Sequence, residues 1–300
     1  MMGGFEGGDE GGFWDIDSIA TLVDKTNENK SKNIKKEKLY VGTSDSGYSI
    51  KAYAKVNIFS KITGNIEGKP TILARCMRVE DLYDIISFVP CKCSTFTIEG
   101  CEGIPLESNS IYKAYQAICD FTSDSDIEDF FHEHKVLVNK GIPYSLGLGG
   151  ASSDGAGFLC LLKEVCNLII STDELVKIGA TVGTSLAFFI YNYPSANVSG
   201  FGNIIEAFDE EVLNFEFYTP YMECDKSVVQ KKLKKHLLAK VSSSFLDWSK
   251  QDSRSILELS SDPAFFNDFY EETLLEYPSL NKGYKEVWLF SGYCFFKVLK

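Results

Sequence analysis

The sequence is poor in histidine and has no long apolar run. Only three histidines occur among 300 residues, so a histidine-rich metal site is not expected, although histidine is the commonest protein ligand for metals. No run reaches the roughly 18 apolar residues that a membrane-spanning helix needs, so none is predicted. The N-terminus also lacks the basic and apolar segments of a secretory signal. We therefore expect a cytoplasmic protein.

Basic residues are also in deficit. The chain carries 30 Lys and Arg against 42 Asp and Glu, which gives a formal net charge of -12 and a pI near 4.8. A negative protein is repelled by nucleic acid and by anionic membranes. We expect neither as a partner, while a local basic pocket for a phosphorylated small molecule stays compatible with this charge. The composition predicts no particular oligomeric state.

The nine cysteines are odd in number, scattered and set mostly among apolar neighbours. Free thiols behave as small hydrophobic groups, and reducing compartments rarely allow stable disulfides. Cys91 and Cys93 flank a single lysine, a spacing that matches no common zinc knuckle. Free thiols and no zinc site are therefore expected.

The first fifty residues differ from the rest. Residues 1–12 are rich in glycine and acid, and residues 24–38 are polar and rich in Lys and Asn. Such segments bury too little apolar surface to fold alone. We expect residues 1–50 to form a largely disordered N-terminal extension, with one amphipathic helical stretch at 13–23.

From residue 51 onward, strand and helix patterns mix. Polarity alternates along Lys51–Ile62, as in a half-buried strand, and helical spacing runs along Asn109–Phe121. A mixture of this kind indicates an α+β fold. Further strands are predicted at 94–98, 135–140, 215–218, 287–290 and 295–298, and further helices at 155–166, 173–179 with Thr172 as N-cap, 227–238 and 263–275.

A glycine-rich loop between a predicted strand and a predicted helix is the most informative segment. Glycines let the backbone approach an anion, and their N–H groups together with a helix N-terminus can hold phosphate. Ser152 and Ser153 add hydroxyl groups, and either is a candidate ligand for Mg²⁺. The residues of this predicted phosphate loop are Pro143, Tyr144, Ser145, Leu146, Gly147, Leu148, Gly149, Gly150, Ala151, Ser152 and Ser153.

Other glycine loops fit less well. A dinucleotide-binding loop needs the pattern G-x-G-x-x-G, and the last glycine is missing here. A Walker loop needs G-K-[ST], and no lysine follows these glycines. The remaining alternative is a plain glycine-rich turn.

The loop resembles the P-x-x-x-G-L-G-G-G-S-S motif of the GHMP kinases. Other segments are similar to those of one family in that superfamily, the diphosphocytidyl-methylerythritol kinases, and they follow the family's order from about residue 51 to the C-terminus. The similar segments are Ala54–Phe59, Met77–Asp84, Leu186–Ile190 and Ser195–Glu206.

This resemblance implies a two-domain α+β fold of the GHMP-kinase type. Residues 51–207 would form an ATP-binding domain like ribosomal S5 domain 2, and residues 208–300 a ferredoxin-like domain. It also implies a kinase that uses ATP and Mg²⁺. The expected reaction phosphorylates the 2-hydroxyl of 4-diphosphocytidyl-2-C-methyl-D-erythritol, in the non-mevalonate route to isoprenoid precursors.

The resemblance also assigns roles to single residues. Lys55 matches the family's catalytic lysine, and Asn57 matches a residue that lines the substrate site. The catalytic aspartate of the family falls at Ser185, which is neutral. The Tyr-His pair that recognises cytosine aligns with Lys69 and Pro70, which makes Lys69 a candidate substrate contact. Ser152 is the candidate Mg²⁺ ligand.

Further departures weaken the match at chemical positions. Ala151 replaces a loop glycine, at a cost of roughly 1 kcal/mol if the position needs a positive φ. Asn203 replaces a glutamate, and Asp154 is expected to face solvent at the start of its helix. Three hypotheses remain open: a working kinase of this family, a catalytically inactive nucleotide-binding relative, and a GHMP kinase for another small alcohol.

Overall fold

The computed structural model of the chain describes residues 42–44, 47–66, 69–122, 125–218, 245–281, 289–291 and 294–299. The predicted disorder of residues 1–41 and the predicted helix at 227–238 lie outside these residues.

The larger of the two described sheets contains seven strands. The order β1-β2-β3-β5-β4 runs along one path, while β6 pairs with β3 and with β7. All pairs are antiparallel except β4 with β5. The strands are β1 (Gly42–Ser44), β2 (Gly47–Ile66), β3 (Lys69–Pro90), β4 (Ile98–Glu99), β5 (His134–Asn139), β6 (Ser195–Gly200) and β7 (Ile204–Ala207).

The long β2–β3 hairpin is the centre of this sheet. The alternation that predicts a strand at Lys51–Ile62 is confirmed, because Ala52, Ala54 and Val56 are buried while the residues between them are partly exposed. The pairing slips between Tyr53 and Ala54, where β3 contains three extra residues, 80–82. Such a bulge bends the strand locally. As a result β3 pairs with β6 along 72–77 and with β5 along 85–90.

Helices from residues 110–191 cover one face of this sheet. Helix α3 (Gly150–Val165) is buried along Ser153–Leu162 and lies against β2. The missing side chain at Gly157 permits this approach, since a Cβ there would stand 3.3 Å from the Cβ of Ala52. The helices are α1 (Ser110–Thr122), α2 (Ser125–His132), α3 (Gly150–Val165), α4 (Thr172–Val182) and α5 (Leu186–Tyr191).

The N-cap of α4 is Ser171, so the prediction of Thr172 was wrong by one residue. The Ser171 hydroxyl accepts a hydrogen bond from the Glu174 amide at 3.1 Å, and the Glu174 carboxylate accepts one from the Ser171 amide at 2.8 Å. This reciprocal capping box satisfies two backbone donors of the first turn, and Thr172 is already helical.

A second sheet has three antiparallel strands in the order β8-β10-β9. The helix predicted at 263–275 is divided here, because Asn267 is extended, bridges to Ser60 of β2 and accepts a hydrogen bond from the Phe269 amide at 2.9 Å. The elements are β8 (Phe215–Tyr218), β9 (Leu289–Ser291), β10 (Cys294–Val298), α6 (Ser253–Leu257), α7 (Pro263–Phe266) and α8 (Tyr270–Glu276).

A buried ion pair joins β3 to the C-terminal part of the chain. The fully buried Arg75 donates from Nη1 to Oε1 of Glu210 at 3.0 Å and from Nε to Oδ1 of Asn197 at 2.9 Å. Its Nη2 donates to the carbonyl oxygens of Trp248, Ser249 and Gln251. A buried guanidinium is tolerated only when paired and hydrogen-bonded in this way.

The α+β class is confirmed. The sheet begins at Gly42, however, because β1 pairs with β2, so ordered structure starts before the predicted domain start at residue 51. The division of the chain into 51–207 and 208–300 stays a prediction. None of the helices in the described ranges is long and apolar enough to cross a membrane.

Candidate active site

The glycine loop joins β5 to α3 in a conformation that few residues adopt. Ser145, Gly147 and Gly149 have φ values of 57°, 75° and 82°. Leu146 and Leu148 are buried, while Gly147 between them is exposed. The two leucines hold the loop to the core, and the backbone around the glycines faces outward at the N-terminus of a 16-residue helix. That is the arrangement of an anion site.

Gly149 is the point where three elements meet. A Cβ at this residue would stand 2.6 Å from Cζ of Phe189 in α5 and 3.3 Å from Cγ of Lys55 in β2. Both the positive φ and the close packing therefore require glycine. This contact places the predicted catalytic lysine directly beside the loop.

The concern about Ala151 does not apply. Ala151 lies in the first turn of α3, is exposed, and is not among the residues with positive φ. A Cβ at this position costs no strain, and alanine favours the helix over glycine by about 1 kcal/mol.

The two loop serines have different environments. The Ser153 hydroxyl is buried and donates to the carbonyl oxygen of Tyr53 at 2.7 Å, which ties α3 to β2. Ser152 is half-buried in the first turn of α3. Of the two candidate Mg²⁺ ligands, Ser152 is the one whose hydroxyl has no recorded hydrogen bond within the described residues.

Lys55 and Asn57 lie together at the loop. The Lys55 amide donates to the carbonyl oxygen of Leu148 at 2.9 Å, and Lys55 Nζ donates to Oδ1 of Asn57 at 2.5 Å. Both side chains are half-buried. Within the described part of the chain, no carboxylate forms an ion pair with Lys55.

Ser185 is the N-cap residue of α5, one turn before Phe189. Since residues four apart lie on one face of a helix, Ser185 is on the same side of α5 as Phe189, whose ring lies against Gly149. Its hydroxyl makes no capping hydrogen bond. The residue at this helix start is therefore neutral, where the resemblance implies an aspartate. The side chain of Lys69 lies outside the described residues.

The turn between β6 and β7 borders the same region. Gly200 and Gly202 have positive φ, and Asn203 holds the turn by accepting a hydrogen bond from the Phe201 amide at 3.1 Å. A Cβ at Gly202 would stand 3.5 Å from Oγ1 of Thr184. Asn203, which departs from the family pattern, therefore has a structural role beside the segment that leads to Ser185.

A buried charge cluster behind the loop was missed by the sequence analysis. Lys140 Nζ is 2.5 Å from Oδ2 of Asp84 and 2.8 Å from Oδ2 of Asp154. Oδ1 of Asp84 accepts hydrogen bonds from the amides of Gly141 and Ile142 at 2.7 and 2.8 Å. The cluster anchors the start of the loop, at Lys140, to β3 through Asp84 and to α3 through Asp154.

Asp154 is buried, so the expectation that it faces solvent was wrong. Burial raises its pKa to about 7, against the opposing effect of Lys140. Burial by itself would lower the pKa of Lys140, but Asp154 and Asp84 raise it overall, so this lysine stays charged. The signal available in the sequence was an aspartate inside an apolar helix and a lysine at a strand end, neither of which identifies its partner.

A glycine loop at a helix N-terminus, beside a strand lysine, is suited to phosphoryl transfer by positioning and charge stabilisation. The family of GHMP kinases N terminal domains matches residues 109–192, which include the loop. Fold, loop and match define a small-molecule kinase of the GHMP class.

Relatives that align with most of the chain identify the family within this class. The 4-diphosphocytidyl-2-C-methyl-D-erythritol kinase of Sulfurovum sp. (strain NBC37-1) is 48% identical over 82% of this chain and 96% of its own length. That of Sulfurimonas denitrificans is 39% identical over 81% of this chain and 92% of its own length. The chain belongs to the 4-diphosphocytidyl-2-C-methyl-D-erythritol kinase family.

Solved structures agree on the fold. A crystal structure of 4-(cytidine 5'-diphospho)-2C-methyl-D-erythritol kinase superposes with a TM-score of 0.62, at 19% identity, over 84% of this chain and 90% of that one. The mevalonate kinase of Methanococcus jannaschii gives a TM-score of 0.53 at 14% identity, over 86% of this chain and 92% of that one.

Proposed function

We propose that this chain transfers the γ-phosphoryl group of ATP to the 2-hydroxyl of 4-diphosphocytidyl-2-C-methyl-D-erythritol. Membership of the family supports the reaction. The observation that carries the proposal is the hydrogen bond from the Lys55 amide to the Leu148 carbonyl, which holds a cationic side chain beside the predicted phosphate loop. Phosphoryl transfer requires such a fixed relation between donor phosphate and charge-neutralising group.

In this proposal the loop binds the ATP phosphates. The backbone N–H groups around Gly147 and Gly149 and the N-terminus of α3 supply partial positive charge. The loop side chains of Tyr144 and Ser145 are exposed at its rim.

Mg²⁺ fits a site of this kind, because it is usually held by phosphate oxygens, water and few protein ligands. The described residues contain no cluster of three or more metal-binding side chains. The Ser152 hydroxyl is therefore the proposed protein ligand. Bound Mg²⁺ would neutralise phosphate charge.

Lys55 and Asn57 would hold the acceptor. The ammonium group of Lys55 stabilises negative charge on the transferred group. Asn57 orients that ammonium group and lines the substrate site. The transition state of phosphoryl transfer is loose, so little proton abstraction is needed early. A site with Ser185 in place of an aspartate can therefore turn over, but without the roughly 10²–10⁴-fold contribution of a general base.

The substrate end of the site is also part of the proposal. Lys69 stands where the family has cytosine-recognising residues, and we propose that it contacts the diphosphocytidyl group instead. A cytoplasmic location and a small-molecule substrate, without nucleic acid or membrane partners, complete the proposal and agree with the net charge of -12.

The test is steady-state ADP release from Mg-ATP with and without 4-diphosphocytidyl-2-C-methyl-D-erythritol, with the product identified by phosphorus NMR. We expect substrate-dependent turnover that Lys55→Met abolishes. Homoserine and mevalonate serve as alternative acceptors, and calorimetry measures nucleotide binding separately. Nucleotide binding without turnover on any acceptor would identify the chain as an inactive relative, which the serine at position 185 would explain. Turnover on another alcohol alone would overturn the substrate assignment.

A further inference from the structure

A buried thiol contacts Asn57, the residue that accepts a hydrogen bond from the predicted catalytic Lys55. Cys76 of β3 is the direct register partner of Asn57 on β2. It is 3% exposed, and its Sγ donates to Oδ1 of Asn57 at 3.2 Å. The same Oδ1 accepts the hydrogen bond from Lys55 Nζ at 2.5 Å. One amide oxygen therefore receives two donors, one from each strand.

The two donors determine how the Asn57 amide is oriented. An ammonium group can only donate, so the amide atom that faces Lys55 must be the oxygen. A thiol that donates to this oxygen from the other strand opposes rotation of the amide. The –NH₂ group of Asn57 then points to the opposite side of the carboxamide, as a donor.

The thiol is present as a donor at neutral pH. Burial raises the pKa of Cys76, and the nearby Lys55 ammonium offsets this only in part. A thiolate would be an acceptor and would face the Asn57 oxygen unfavourably. Since the protonated form persists through the physiological range, Cys76 donates to Asn57 wherever the kinase would work.

The contact matters because of what the site lacks. Lys55 has no carboxylate partner within the described residues. Ser185 stands where the resemblance implies the family's catalytic aspartate. The Asn57 oxygen is the side-chain acceptor that holds the Lys55 ammonium. The orientation of the Lys55 ammonium group thus depends on the Asn57 amide, and the orientation of that amide depends on Cys76.

We propose that Cys76 is a positioning residue that fixes the Asn57 amide and, through it, the Lys55 ammonium for phosphoryl transfer. The inference rests on the proposed function, since it assigns a further residue to the same site. It predicts a dependence on a hydrogen-bond donor at position 76, not on sulfur as such.

Cys76→Ser and Cys76→Ala form a matched pair, because the two replacements are similar in size and only serine can donate. We expect Cys76→Ala to lower kcat about five- to tenfold, the effect of one lost hydrogen bond, with KM for ATP unchanged. Cys76→Ser should keep kcat within about threefold of the wild type. Cys160, a buried thiol of α3, provides the control, since Cys160→Ser and Cys160→Ala should have equal kcat values.

Melting temperatures of all four variants separate folding from positioning. Equal kcat values for Cys76→Ser and Cys76→Ala would overturn the inference, whatever their stabilities. A loss confined to KM for ATP would also overturn it, because Cys76 is assigned to the acceptor side.

A second measurement does not need turnover. The side-chain amide signal of Asn57 in a nitrogen-15 spectrum, assigned by its loss in Asn57→Ala, should shift in Cys76→Ala and stay near the wild-type position in Cys76→Ser. If the wild type shows no turnover, the proposed function fails, while this spectrum still tests whether Cys76 orients the amide. An unchanged Asn57 signal in Cys76→Ala would refute the inference independently.

Discussion

Lys140 and Asp154 form an ion pair directly behind the predicted phosphate loop, with Nζ 2.8 Å from Oδ2. Asp84 shares the same ammonium group, so two buried carboxylates face one lysine. The second oxygen of Asp154 is buried without a hydrogen-bond partner among the described residues. The loop is therefore supported by a cluster in which one carboxylate is poorly stabilised as an anion.

We predict that Asp154 makes the protein less stable as the pH rises. Its pKa is about 7 in the folded state and 3.8 as the ordinary value, so between these values the folded state holds a proton that the unfolded state has lost. The stabilisation is complete below about pH 4 and is lost as the pH rises to about 7. Relative to Asp154→Asn, the free energy of unfolding should fall by up to about 1.4 kcal/mol per pH unit in this window.

Urea unfolding of wild type and Asp154→Asn at intervals from pH 4.5 to 8.5 checks this. The difference between the two proteins should level off above pH 7.5. Parallel curves over the whole range would mean that Asp154 carries the same charge in both states.

Removal of Arg75 should destabilise the fold strongly. Arg75→Met leaves Glu210 buried and unpaired, and breaking such a pair costs about 3–5 kcal/mol. A matched control exists in Arg254, which pairs with the neighbouring Glu211 at side-chain exposures of 50% and 72%. Arg254→Met should cost less than about 1 kcal/mol in chemical denaturation. Similar losses for the two variants would contradict the assignment.

Gly149→Ala should impair catalysis more than stability. The new Cβ meets Phe189 and Lys55, and a displacement of about 1 Å at a reacting group can cost about 10²-fold in rate. Gly103→Ala is the control, because Gly103 has a similar φ of 89° but no atom within 4 Å of the added Cβ. Both variants should lose about 1–2 kcal/mol from backbone strain. Only Gly149→Ala should lose kcat/KM, and equal activities would show that the contact is unimportant.

Ser185→Asp should accelerate turnover. It places a carboxylate at the N-terminus of α5, one turn before Phe189, whose ring lies against Gly149, and aspartate is also a good N-cap residue. A general base contributes roughly 10²–10⁴-fold, so a rise in kcat of about tenfold or more is expected. Thr181→Asp adds the same charge at an exposed site in the last turn of α4 and should leave kcat unchanged. A lower kcat for Ser185→Asp would indicate that the site has adapted to serine.

The local framework of the site was predictable from the sequence. The alternation along β2 predicted the strand that carries Lys55 and Asn57, and the glycines before α3 predicted the loop, because these features depend on backbone geometry over a few residues. The prediction was wrong where the local signal was ambiguous. At the N-terminus of α4, Ser171 and Thr172 are both good N-cap residues, and the reciprocal contact with Glu174 decided between them.

Which side chains meet depends instead on how the distant segments pack. Asp154 follows two serines and precedes apolar residues, so its position in sequence fits a solvent-facing helix start as well as a buried one. Its burial against Lys140 depends on how α3 packs on the sheet. Arg75 and Glu210, 135 residues apart, are joined in the same way, as are Cys76 and Asn57 across the β2–β3 register. Periodicity marks which residues are buried, but polar partners are fixed by strand register and helix packing, which act between segments that are distant in sequence.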